Sequence, residues 1–147
     1  MYTATGRGFS VIELLAALTI FGILAGIALP AWNRLLSFFD LSSSARLIHS
    51  ELQGIKIRSA VENVSFRLAY ATGATNIEIQ RDGKAWAVKT LPNGVSITKA
   101  GSITFSPRGT AVANRVRLKG RDGSCQQVIV SPTGRVRSCK SACGSDC

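Results

Sequence analysis

Gly8-Phe9-Ser10-Val11-Ile12-Glu13-Leu14-Leu15 opens the stretch that decides the fold, and the apolar run it begins continues to Asn33. Leu14 to Asn33 is twenty residues without a charge, about the length a helix needs to cross a bilayer. The segment ahead of Phe9 is short, polar and basic. A secretory signal is cut behind its apolar region, at small residues; here the small residue, Gly8, stands in front. A cut after Gly8 leaves the whole hydrophobic helix on the mature chain. Glu13 is expensive in such a helix, and a carboxylate there is functional by default. Cleavage would place a new α-amine on Phe9, close to Glu13 in sequence. The same charge pair is available between neighbouring subunits staggered along a filament.

Downstream, Gly22, Gly26 and Pro30 are expected to interrupt the helix, since proline removes a backbone donor. Trp32 and Arg34 mark the membrane exit, an aromatic and a cation at the interface. Leu41, Ala45, Ile48, Leu52 and Ile55 then recur at spacings of 4, 3, 4 and 3, one apolar helical stripe. His49 lies beside that stripe and reads as structural or solvated. After Ala60 the period becomes two. Phe66, Leu68 and Tyr70, then Ile77 and Ile79, Trp86 and Val88, Val95 and Ile97, Ile103 and Phe105, and Val116 and Leu118 alternate with other residues. Turn signals such as Arg81-Asp82-Gly83, Pro92-Asn93-Gly94 and Pro107-Arg108-Gly109 separate them. A last hairpin pairs Gln126–Val130 with Arg135–Cys139. The expected class is α+β, a long N-terminal hydrophobic helix packed on a C-terminal antiparallel β-domain of seven or eight strands. The expected segments are a leader at 1–8, a membrane or filament-core helix at 9–33, an amphipathic half-helix at 34–60 and a β head at 61–147.

The chain has 147 residues, 46% of them hydrophobic and 18% charged, enough for one domain with a real core. The net charge is +10, and its distribution is uneven. Residues 1–40 carry Arg7, Glu13, Arg34 and Asp40 and sum to zero. Residues 107–147 hold eight Lys/Arg against two Asp/Glu, or +6. A basic head on an anchor points to a polyanionic partner. Catalysis is not expected. There is one histidine, no His-Glu-x-x-His pair, no Gly-x-x-x-x-Gly-Lys loop and no nucleophile elbow. No cofactor or metal is expected.

Cys125, Cys139, Cys143 and Cys147 read as disulfide partners rather than zinc ligands, because an exported head meets an oxidising compartment and structural zinc prefers paired knuckles. Four cysteines allow three pairings. A three-residue loop in the last hairpin would set Cys125 opposite Cys139 and leave Cys143 for Cys147. Within the same hairpin stands Gly134-Arg135-Val136-Arg137. Strand geometry puts Arg135 and Arg137 on one face, about 6.6 Å apart. Each guanidinium presents a planar fork to phosphate oxygens, and Gly134 permits a tight turn and close backbone approach. Arg115, Arg117, Lys119, Arg121 and Lys140 are candidates to extend the basic surface. The basic tail carries no aromatic residue, so base stacking is a poor explanation of any nucleic-acid affinity.

The Gly8–Leu15 stretch resembles the prepilin processing motif of type IV pilins and type II secretion pseudopilins, with Val11 where Leu is common. The resemblance implies a type IV pilin-like fold, cleavage by a prepilin peptidase between Gly8 and Phe9, N-methylation of Phe9 and a subunit-docking role for Glu13. The runs Phe105-Ser106-Pro107-Arg108-Gly109 and Val128–Arg137 are similar to elements of the FimT/GspH family. FimT-type minor pilins bind DNA through a C-terminal Gly-Arg-x-Arg motif, which the resemblance carries onto Gly134, Arg135 and Arg137. It implies a minor pilin that binds extracellular DNA without sequence preference during natural transformation. Its partners would be DNA and other major and minor pilins. It would sit as a single-pass inner-membrane protein with a periplasmic head, then in a pilus filament or tip. The +6 of residues 107–147 favours this reading. The alternative is a structural GspH-type pseudopilin of type II secretion, or a pilus-priming subunit, without DNA binding.

Overall fold

The computed structural model describes residues 10–140 and 143. Its order is one helix followed by eight strands. Helix α1 spans Val11–Glu62. The carbonyl of Ser10 accepts from the amides of Glu13 and Leu14 at 3.0 and 3.1 Å, which starts the helix. Asn63, at φ 53°, ends it; asparagine is among the few residues that enter this left-handed conformation readily. The helix assignment is unbroken through positions 22, 26 and 30, so the expected interruption is absent. Nothing lies within 4 Å of where a Cβ would stand on Gly22 or Gly26.

By contacts the chain divides into two units, at residues 1–35 and 36–147. In the first, Val11, Ile12, Leu14, Leu15, Leu18, Ile20, Phe21 and their successors are exposed. A helical segment this apolar is long enough to cross a membrane.

The second unit holds the β-structure, all of it antiparallel. Strands β1 (Phe66–Tyr70), β2 (Asn76–Arg81), β3 (Lys84–Thr90) and β5 (Gly101–Phe105) form one sheet in the order β3-β2-β1-β5. Strands β4 (Ser96–Ile97), β6 (Asn114–Lys119), β7 (Cys125–Val130) and β8 (Val136–Lys140) form a second in the order β4-β6-β7-β8. The expected stripe on α1 is the helix's contribution to the core: Leu41, Ala45, Ile48, Leu52 and Ile55 are all buried. They join Phe66, Leu68, Ile77, Ile79, Ile103 and Phe105 from one sheet and Val116, Leu118, Val128, Val130 and Val136 from the other in a single cluster.

β3 departs from the expected pattern. Trp86 and Val88 alternate along a strand but remain 46% and 59% exposed. β3 is an edge strand, and its register against β2 shifts so that Ile79 faces Ala87 while Gln80 faces Ala85. Trp86 is therefore the extra residue of a bulge, which re-aims its side chain. The ring meets Phe66 edge-on at 5.9 Å, and the Arg58 guanidinium lies 4.9 Å from its centroid. Of Val95 and Ile97, both buried, only Ile97 lies in a strand.

Candidate nucleic-acid interface

The β7–β8 hairpin carries the Gly-Arg-Val-Arg segment. Val130 faces Val136, so the connection is the five residues Ser131-Pro132-Thr133-Gly134-Arg135 rather than three. Proline presets φ early in the turn, and Gly134 takes φ +73°. The Gly134 amide donates to the Ser131 carbonyl at 2.8 Å, and the Ser131 amide to the Arg135 carbonyl at 3.0 Å. The Arg135 amide donates to Ser131 Oγ at 3.2 Å. Arg135 thus closes the turn and Arg137 is the second residue of β8. Both side chains are exposed, with buried Val136 between them.

Gly134 itself is buried. The place of its missing Cβ is taken by the carbonyl oxygen of Gly109, so the close approach this glycine makes is to another turn of the same chain. Its own carbonyl accepts from Lys56 Nζ of α1 at 3.0 Å.

The longer loop changes the cysteine pairing. A three-residue loop would have set Cys125 opposite Cys139; the observed register slides β8 by two residues and sets Gln127 opposite Cys139. Cys125 is left past the paired end of β8, where it forms a disulfide with Cys143 across 18 residues of sequence. Cys139 is also disulfide-bonded. Cys147, like the cleavage residues Gly8 and Phe9, lies outside the described residues.

The second sheet sorts its charges by face. Val116, Leu118, Val128, Val130 and Val136 point into the core. Alternation therefore sends Arg115, Arg117, Lys119 and Arg137 outward. Register places Arg115 opposite Ile129 and Ile129 opposite Arg137, so the two arginines share a row about 10 Å apart, two strand spacings. The four strands of this sheet contain no carboxylate. Beside Arg117, the face hollows into a cleft of about 310 Å³ that also includes Lys99, Gln127 and the Cys125–Cys143 pair.

The remaining candidates are not brought to the turn. Lys119, Arg121 and Lys140 lie at the other end of the hairpin, about 17 Å from Arg135 along the strands. Lys140 Nζ lies 4.4 Å from the centroid of Phe38, and Arg121 lies directly across Gly94. Asp122 occupies this same end. Hydrogen bonds from the Ser124 hydroxyl first, and then from Ser37 Oγ, hold its carboxyl below the usual range. The cations Arg58, Arg81 and Lys89 pair instead with Glu62 and Glu51. Sequence reasoning read Pro107-Arg108-Gly109 as a turn but did not place that turn, or Lys56, beside Gly134. The signal was available, because Ser-Pro-x-Gly occurs at both 106–109 and 131–134.

Residues 5–29 match the model of the prokaryotic N-terminal methylation motif. The folded chain aligns with the minor pseudopilin EpsH from the type 2 secretion system of Vibrio cholerae, with a TM-score of 0.58 and 13% identity, over 72% of this chain and 99% of that one. This is a type IV pilin-like fold behind an N-terminal methylation motif. Two crystal structures of the Pseudomonas aeruginosa type IV minor pilin FimU share it, at TM-scores of 0.52 and 0.53. They are 14% and 15% identical, covering 66% and 67% of this chain and 86% and 91% of theirs. No curated protein matches the chain by sequence.

Proposed function

We propose that this protein is a minor pilin whose head binds DNA through the phosphate backbone, using the Gly134–Arg137 turn and the outward face of the second sheet. One observation carries the reading: Arg135 and Arg137 stand exposed beside a sheet whose strands hold cations and no carboxylate. Guanidinium groups grip phosphate oxygens in bidentate fashion, and contacts to phosphate carry no sequence information. The processing residues Gly8 and Phe9, the docking residue Glu13 and the exposed apolar helix fit a subunit held in the inner membrane and then assembled with other pilins. The chain acts as a binding and structural subunit, not a catalyst.

A second reading has its own support. The alignment with EpsH spans 99% of that minor pseudopilin, which favours a filament subunit of a secretion system with only protein partners. Titration of labelled duplex DNA with the full-length protein in neutral detergent separates the two. Binding at low salt that weakens steeply as salt rises supports the first; no binding at low salt leaves the pseudopilin.

A further inference from the structure

Two turns of the head share both a spelling and a conformation. Ser106-Pro107-Arg108-Gly109-Thr110 matches Ser131-Pro132-Thr133-Gly134-Arg135 at Ser, Pro and Gly. The Gly109 amide donates to the Ser106 carbonyl at 2.9 Å, as Gly134 does to Ser131; the Ser106 amide donates to the Thr110 carbonyl at 2.9 Å, as Ser131 does to Arg135. The two glycines have φ of +76° and +73°.

The turns also lie against each other. The Ala111 amide donates to the Pro132 carbonyl at 3.0 Å, and the Gly109 carbonyl fills the space beside Gly134. Lys56 joins them from α1. Its Nζ bonds the Gly134 carbonyl, and its Cε stands 3.8 Å from where a Cβ on Gly109 would be. An ammonium has three donors, and the Gly134 carbonyl takes one of them. Arg108 precedes one glycine and Arg135 follows the other, and both are exposed. Two Cα steps of about 3.8 Å and the contact between the glycines bound their Cα atoms to within about 14 Å.

The neighbourhood is free of competing anions in sequence. Between Asp82 and Asp146 the chain has one carboxylate, Asp122, and it sits at the opposite end of the hairpin. On α1, Glu51 is paired with Lys89, and Glu62 with Arg58 and Arg81.

We propose that the twin turns form one phosphate-binding site, in which Arg108 and the Lys56 ammonium grip the nucleic-acid backbone together with Arg135. The inference rests on the DNA-binding reading above and adds two cations that the Gly-Arg-x-Arg segment does not contain. Lys56 reaches this point from the helix, half-buried, with one donor on the Gly134 carbonyl and its stem against the Gly109 turn.

The test is a DNA titration of the full-length protein in detergent at several salt concentrations, comparing Arg108→Gln, Arg108→Lys, Arg135→Gln and a control, Lys84→Gln, on the edge strand of the other sheet. Loss of one phosphate contact flattens the log–log salt slope by about 0.9 and weakens binding roughly eightfold at 0.1 M salt. Arg108→Gln is expected to show both effects, Arg108→Lys to keep the slope, and Lys84→Gln to match the wild type. A melting curve on each variant separates loss of contact from loss of fold. An unchanged slope in Arg108→Gln beside a flattened one in Arg135→Gln overturns the twin-turn site and spares the broader reading. A wild type that does not bind overturns both.

Discussion

Tyr70 shows how a single side chain ties the two sheets together. It closes β1, is 6% exposed, and its hydroxyl donates to the carbonyl of Arg115 on β6 at 2.9 Å. Gly101 stands opposite it in the ladder, and a Cβ there would lie 2.8 Å from the hydroxyl. Burial pushes the phenol from 10.0 up to about 12. Below pH 10 the group is protonated whether the chain is folded or not, and it contributes no pH dependence. Between 10 and about 12 the unfolded chain ionises first, so stability falls as pH rises. Urea midpoints measured from pH 9 to 12 should therefore drop more steeply in the wild type than in Tyr70→Phe, the difference removing the background of titrating lysines. Parallel curves would reject this account. Gly134 makes the complementary point about backbone. At φ +73° and against the Gly109 carbonyl it has neither the conformation nor the room for a side chain, so its role is first to hold a turn and through it to aim Arg135.

At the scale of elements, the β7–β8 hairpin is fixed at both ends by different means. The Cys125–Cys143 disulfide closes the end near Asp122; Lys56 and Gly109 hold the turn about 17 Å away. Replacing both cysteines by serine should cost roughly 2–5 kcal/mol of stability. Because the disulfide does not flank the turn, DNA affinity of the folded fraction should change little. Thermal melts and DNA titration on the same samples check this, and affinity that collapses while the protein remains folded would show that the disulfide aims the arginines after all. Much of this unit was legible in sequence. The 4-3-4-3 stripe on α1 and the alternation in β1, β2, β5 and β6 report a core that buries one face of each element, and burial leaves that imprint on sequence; β7 buries Gln126, Gln127 and Val128 in succession and was legible only as half of a hairpin. Register was not legible, since a three-residue and a five-residue turn place the same residues on the same faces and differ only in which partner they meet. Trp86 misled because a bulge on an edge strand obeys a local geometry that period two does not encode. The helix's passage through Pro30 was missed because proline either kinks or breaks a helix, and sequence does not say which; the helix assignment runs on through position 30.

Across the whole molecule, apolar surface and positive charge are separated along the chain. The exposed apolar residues from Val11 to Leu29 belong to the first unit, where Arg7, Glu13 and Arg34 are the charges; the excess of cations is in the second. Glu13 is exposed in the first turn of α1, far in sequence from the residues of the core, so Glu13→Ala should leave the head folded and reduce recovery of the protein in sheared filaments. Wild-type recovery would remove its docking role. The charge of the second unit yields the sharper test. Arg135→Gln with Arg137→Gln removes two exposed guanidiniums and should leave stability within about 0.5 kcal/mol, as for most surface changes. If both arginines touch phosphate, the salt slope of duplex binding should flatten by roughly 1.8, and the loss should be the same for unrelated DNA sequences. Lysine at both positions should fall between, keeping charge and losing the bidentate fork. Cells carrying the double glutamine form should assemble pili and take up DNA poorly. Titration at several salt concentrations decides the matter: equal affinities and equal slopes for wild type and double variant would remove DNA from the function of this head and leave a subunit whose basic face meets other proteins.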